Sequence, residues 1–195
     1  MQNYKSKSNT TIIKNSNYIN DYLKNLSSNL FNLDVEKFSL LIKKFNKIKQ
    51  KKKKIILIGN GGSAAMASHV SVDLTKQCEI RAINFNEADL ITCFANDYGH
   101  DNWMKEAINK FHDKGDLVIL ISSSGNSKNH LVAANFCKKK KIPLVTFTGF
   151  NGKNKLSKIG KINFIVNSKN YNIIEMIHHI WLLLACDFIT KTKII

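Results

Sequence analysis

The sequence of 195 residues predicts an α/β domain: a three-layer α-β-α sandwich around a parallel sheet, preceded by N-terminal helices. Three observations predict it. Short continuous apolar runs such as Ile55–Ile58 and Leu117–Ile121 have the length of strands buried on both faces. These runs alternate with segments of helical periodicity. Two of them end in glycine- or serine-rich loops that open directly into a helix.

Residues 1–16 are rich in Asn, Ser and Lys and read as a polar, frayed lead-in. From about Tyr18 the chain turns helical, with Tyr18, Ile19, Tyr22, Leu23, Leu26 and Leu30 at three- and four-residue steps. A second helix begins near Asp34 and carries Phe38, Leu41, Ile42, Phe45 and Ile48 on one face. Ile55–Ile58 is the first strand, followed by Gly59–Ser63 and a helix from Ala64 to about Lys76. Ala82–Phe85 reads as a strand, and Glu87–Phe94 and Asn102–Phe111 as helices. The second strand–loop–helix unit runs from Leu117–Ile121 through Ser122–Ser127 into a helix at about Lys128–Lys140. Strands at Leu144–Thr148 and Ile162–Val166 and a helix at Asn172–Thr190 complete the set. Residues 17–195 form one domain, with helices over 17–52 and the α/β core and C-terminal helix over 53–195.

Composition narrows the function classes. Hydrophobic residues make up 44% and charged residues 23%, which is not a disordered composition. No apolar run approaches the roughly 20 residues that cross a bilayer, and no signal-peptide h-region is evident near the start. No membrane partner is expected. Cys78, Cys93, Cys137 and Cys186 are scattered with no CxxC pair, so the expectation is a reducing cytoplasm without a disulfide framework. The net charge of +16 is nearly all lysine, since Arg81 is the only arginine. Readers of nucleic acid favour arginine for bidentate contacts, and lysine, asparagine and isoleucine together indicate A/T-rich codons. A nucleic-acid partner is therefore not expected, although Lys47–Lys54 remains an anion-attracting run.

In open α/β sheets ligands collect beyond the carboxyl ends of the strands, where both unusual loops fall. Gly59–Ser63 lets the backbone approach a ligand closely, but it lacks both GxGxxG and Walker spacing. A tight turn capped by Ser63 explains it equally well. Ser122–Ser127 offers four serines and an asparagine at a helix start, where free N–H groups and a partial positive charge suit a phosphate monoester. An over-capped serine-rich turn is the alternative.

The string Gly59-Asn60-Gly61-Gly62-Ser63-Ala64-Ala65-x-Ala67-x-His69 is followed by Asn96-Asp97-Tyr98-Gly99 and Gly115-Asp116. After these come Ser122-Ser123-Ser124-Gly125-Asn126-Ser127-x-Asn129 and Thr148-Gly149. Together, and in this order, they closely resemble the sedoheptulose 7-phosphate isomerases (phosphoheptose isomerases), which are single sugar isomerase (SIS) domains. The resemblance implies a flavodoxin-like fold, a homotetramer with active sites at subunit interfaces, and isomerisation of sedoheptulose 7-phosphate for heptose in surface polysaccharide. It places Ser122, Ser123, Ser124 and Ser127 on the phosphate and Asn60, Gly61, Gly62 and Ser63 on the sugar, with Asn96 and Asp97 nearby.

Moving a proton between adjacent carbons through an enediol calls for a carboxylate base and a second acid–base group for the oxygens. The resemblance implies Asp73, Glu175 and His178 as catalytic residues, and zinc held by His69, Asp73 and Glu175. His69 and Asp73 are spaced i, i+4 on one helix face. Asp73 stands where the family carries glutamate, Glu175 where it carries glutamine, and Leu183 where it carries the catalytic histidine, one turn beyond His179. His178 and His179 are equally readable as one solvent-facing and one core histidine. A non-catalytic SIS module, binding a sugar phosphate or acting as a scaffold, is the alternative function.

Overall fold

The computed structural model describes residues 2–191, with side chains from Asn15 onward. The side chains of the lead-in before Asn15, and residues 192–195, lie outside the described residues. Helix α1 spans Gln2–Leu30. It starts well before the Tyr18 that the apolar spacing suggests, and no glycine or proline interrupts the first thirty residues. Asp34 caps α2 (Val35–Gln50), its carboxylate accepting from the Lys37 N–H at 2.9 Å.

The elements then follow as β1 (Lys54–Gly59), α3 (Gly62–Lys76), β2 (Arg81–Ile83), α4 (Ala88–Tyr98), α5 (Trp103–Phe111) and β3 (Leu117–Ser122). After these come α6 (Lys128–Lys140), β4 (Leu144–Thr148), two short 3-10 turns (Phe150–Gly152 and Leu156–Lys158), β5 (Ile162–Ile165) and α7 (Tyr171–Thr190). Strand β2 is shorter than the Ala82–Phe85 run and shifted one residue back, because only Arg81, Ala82 and Ile83 pair with β1. Helix α4 runs past Phe94 to Tyr98, with Gly99 beyond its end.

All five strands are parallel, in the order β2-β1-β3-β4-β5. This is the doubly wound, flavodoxin-like order, and the sandwich expected from the sequence is the architecture observed. Strand alternation divides the core in two. Ile55, Leu57, Leu117, Ile119 and Ile121 face α2, α3 and α7. Ile56, Ile58, Val118 and Leu120 face α5 and α6. Every residue of β1, β3 and β4 is buried, which is why β1 and β3 carry the unbroken apolar runs Ile55–Ile58 and Leu117–Ile121, while β4 also buries Thr146 and Thr148.

Helix α7 is long and apolar enough to cross a bilayer by length and composition. Ile173, Ile174, Ile177, Trp181, Leu182 and Ala185 of this helix belong to the first core, and Trp181 Nε1 donates to the Leu30 carbonyl at 3.1 Å.

At the far end of the sheet, Lys54 opens β1 with its ammonium 2.6 Å from both Asp113 and Asp116. Burial would push this ammonium down, but the two carboxylates more than offset it and hold it above the ordinary lysine value. Asp116, fully buried, also accepts from the Lys54 and Asp113 backbone N–H groups. This knot fixes the starts of β1 and β3 side by side, so that their other ends deliver two loops to one place.

Candidate functional site

Strand β1 connects outward to β2, and β3 outward to β4, so the chain changes winding direction between them. A crevice opens at such a switch point. Here it is a cavity of about 120 Å³ lined by Asn60 and Ser63 from the first loop, Ile121–Ser124 and Ser127 from the second, His130 of α6, and Tyr171 and Glu175 of α7. A larger hollow of about 460 Å³ beside Pro143 contains none of these residues and lies at the starts of the strands.

Both helices that open into the cavity leave their N-termini free of side-chain caps: Gly61 precedes α3 and Ser127 precedes α6. The tight-turn alternative with Ser63 as cap does not hold, because Ser63 lies inside the first turn of α3 and is buried. In the serine loop, the Ser122 and Ser124 hydroxyl oxygens accept from the Gly125 and Asn126 N–H groups at 3.2 and 3.3 Å. Their hydroxyl hydrogens are left to point at a ligand. Free helix N–H groups and hydroxyl donors together form an anion cradle.

Glu175 enters from the opposite wall. Ser123 Oγ donates to its carboxylate at 3.4 Å. Burial raises the Glu175 carboxyl above the usual range, only partly countered by that hydrogen bond. Gly62 makes room for it: a Cβ at position 62 would overlap Glu175 Oε2. Gly61, at φ 52°, turns the chain into α3 in a conformation that favours glycine.

Beneath the loop, Asn60 and Asn129 exchange two side-chain hydrogen bonds of 3.2 Å, and Asn129 Oδ1 also meets the His130 backbone N–H at 2.9 Å and its Nδ1 at 3.1 Å. Burial drives the His130 imidazole down to about 4, against a smaller opposing pull from the Ile121 backbone, so the ring is neutral.

The remaining expected residues are dispersed. His69 and Asp73 lie further along α3, with His69 Nε2 3.6 Å from Asp73 Oδ2. The partner of His69 is His179, whose Nε2 is 3.0 Å from His69 Nδ1. Burial and then the neighbouring His69 lower the His179 imidazole, partly offset by Asp73. His178, expected as catalytic, is instead fully buried, with Nε2 bonded to the Thr148 carbonyl at 3.0 Å and burial holding it at about 4. A step of about 100° per residue around α7 sends adjacent histidines into different surroundings. Asn96 and Asp97 sit in the last turn of α4, exposed and bonded to each other at 3.0 Å, and do not line the cavity.

The residues expected to hold zinc are split, Glu175 against Ser123 and Gly62 in the cavity, His69 and Asp73 beside His179. Among the described residues no three His, Cys, Asp or Glu side chains are arranged to hold a metal. Sequence reasoning missed Tyr171, Asn129 and His130. Tyr171 precedes Glu175 by four residues, which is the signal that places both on one face. Asn129 stands inside the matched motif string, and His130 follows it directly.

The fold and this cavity define an α/β domain with uncapped helix starts and serine hydroxyls gathered at the switch point of its sheet. The family model described as SIS domain matches residues 17–149. A phosphoheptose isomerase of Colwellia psychrerythraea is 33% identical over 147 residues, covering 71% of this chain and 75% of the relative. One of Sulfurimonas denitrificans is 34% identical over 145 residues, covering 71% and 74%. The structure of phosphoheptose isomerase from Neisseria gonorrhoeae superposes with a TM-score of 0.83 at 23% identity, over 91% of this chain and 99% of that one. The chain belongs to the phosphoheptose isomerase family of SIS domains.

Proposed function

We propose that this chain is an aldose–ketose isomerase acting on sedoheptulose 7-phosphate, supplying heptose for surface polysaccharide. One observation carries the reading: a serine-lined anion cradle and a carboxyl with raised proton affinity share one small cavity. The phosphate sits on Ser122, Ser123, Ser124 and Ser127 and the free N-terminus of α6. The sugar runs past Asn60, Gly61, Gly62 and Ser63 toward the seam between α3 and α7. Glu175 takes the proton from C1, an enediol forms, and the proton returns at C2 as the C1 hydroxyl hydrogen passes from O1 to O2. His179 serves the oxygens in place of His178, being neutral near pH 7 and oriented by His69 and Asp73. No step runs through a metal. Zinc at His69, Asp73 and Glu175 would require Glu175 to leave Ser123, and a rise in melting temperature with added zinc, lost in His69→Ala, would establish it.

The test is conversion of sedoheptulose 7-phosphate followed by NMR. Glu175→Gln should lower kcat by about 10²–10⁴-fold. Ser124→Phe should abolish the rise in melting temperature that the sugar phosphate gives the parent protein. Binding without turnover would leave a sugar-phosphate-binding domain and end the isomerase reading. Because Glu175 must be ionised to act, kcat/KM should fall with decreasing pH through a value above the ordinary carboxyl range.

The protein acts as a homotetramer in this reading. Met176, Ile180, Leu184 and Phe188 form an i, i+4 stripe along α7 that keeps 38–61% of each residue exposed. A second copy covers it, and Ile180→Glu should halve or quarter the mass measured by light scattering.

A further inference from the structure

His130 is a histidine at the floor of the phosphate cavity, and its two ring nitrogens have different fates. Nδ1 is committed to Asn129 Oδ1 at 3.1 Å. That oxygen already accepts from the His130 backbone N–H and from the Asn60 amide, so it faces only donors and Nδ1 carries the hydrogen. In the neutral ring Nε2 then carries the lone pair, buried and without a hydrogen-bond partner of its own, on a residue that is 1% exposed and lines the cavity. Besides Asn129, the Ile121 backbone is the other polar group that acts on the ring. A buried acceptor with nothing to accept from costs free energy until a donor arrives.

A phosphate monoester at pH 8 is a dianion and brings only acceptors. Placed on the serine loop, its lone pairs would oppose that of Nε2 unless a hydrogen stands between them. We propose that His130 makes this cavity bind the phosphate group together with one proton from solvent, held between Nε2 and a phosphate oxygen. The inference rests on the sugar-phosphate reading of the same site. Low dielectric strengthens the resulting charge-assisted hydrogen bond, which bulk solvent would weaken.

Among the described residues no lysine or arginine lines the cavity. Glu175 and Tyr171 are the other titratable groups lining the cavity. Behind α6, β3 and β4 carry no titratable residue. Against α6, the Lys105–Glu106 ion pair of α5 lies with Asn135 and Lys139, away from the buried face that carries His130. Lys128 at the start of α6 is 3.7 Å from Asp101, and the nearby 3-10 turn brings Lys158.

Calorimetric titration with sedoheptulose 7-phosphate at pH 8, in two buffers of different ionisation enthalpy, reads the proton directly. The parent protein should take up about one proton per bound ligand. His130→Gln, whose amide can donate without a proton, should bind with uptake near zero. In the parent protein labelled with ¹⁵N histidine, the bare Nε2 resonance should move upfield on saturation, a readout that does not depend on the variant folding. Binding without uptake, or an unmoved Nε2 resonance, would overturn the inference and leave the phosphate site standing. Uptake that survives His130→Gln but vanishes in Glu175→Gln would put the proton on the carboxyl and overturn it as well. No binding at all would remove the phosphate site and the inference together.

Discussion

Adjacent on α7, His178 and His179 meet different surroundings. His179 shares the seam with His69, while His178 is sealed under β4 with its Nδ1 unpartnered. The buried rings of His178 and His130 both titrate at about 4, against 6.5 for a free imidazole. The unfolded chain therefore takes up protons first as pH falls, and stability present above about pH 6.5 is lost toward pH 4, by about 3 kcal/mol per histidine. Glu175 acts in the opposite sense, since its raised carboxyl favours the fold as pH falls, but it is one group against two. Urea midpoints measured from pH 7 to pH 4 should drop steeply for the parent and less for His178→Asn, which still offers Thr148 a donor. Equal slopes would refute the assignment. Gly62 makes a separate case. A methyl there fits the helix backbone but collides with Glu175, so Gly62→Ala should cut kcat by about 10²-fold with little change in melting temperature.

Among the elements, β1 and β3 set the site because they share a start. Asp116 holds the Lys54 ammonium and two backbone N–H groups in a buried knot. Asp116→Asn leaves a buried cation with only the exposed Asp113 carboxylate and should cost about 3 kcal/mol, read as a lower urea midpoint. Loss of stability with unchanged KM would mark the knot as scaffold, whereas a raised KM in the still-folded variant would mean it tunes the loops directly. The strands themselves were readable from Ile55–Ile58 and Leu117–Ile121, since burial on both faces leaves an unbroken apolar run. Strand β2 was less readable, because a three-residue edge strand has little pattern to offer. The ends of α1 and α4 differed for a similar reason: apolar spacing marks what a helix buries, not how far its backbone continues.

For the whole molecule, a charge of +16 acts on an anionic substrate before contact. Long-range attraction raises the association rate and is screened by salt, so kcat/KM for a sugar phosphate should fall as ionic strength rises while kcat stays nearly constant. A kcat/KM indifferent to salt would mean that the lysines play no part in capture. The exposed α7 stripe belongs to the same scale, as the face that the proposed homotetramer would cover. The sequence by itself determined the layered parallel fold, the two loops at the strand ends and the serines before the start of α6, since these depend on period, glycine and a helix start, all local properties of the chain. Only the tertiary structure decided which histidine reaches the seam, that Glu175 parts company with His69 and Asp73, and that His130 closes the floor. Those outcomes depend on how α3, α6 and α7 are rotated against the sheet, and side-chain direction around a helix is settled by packing with residues far away in sequence.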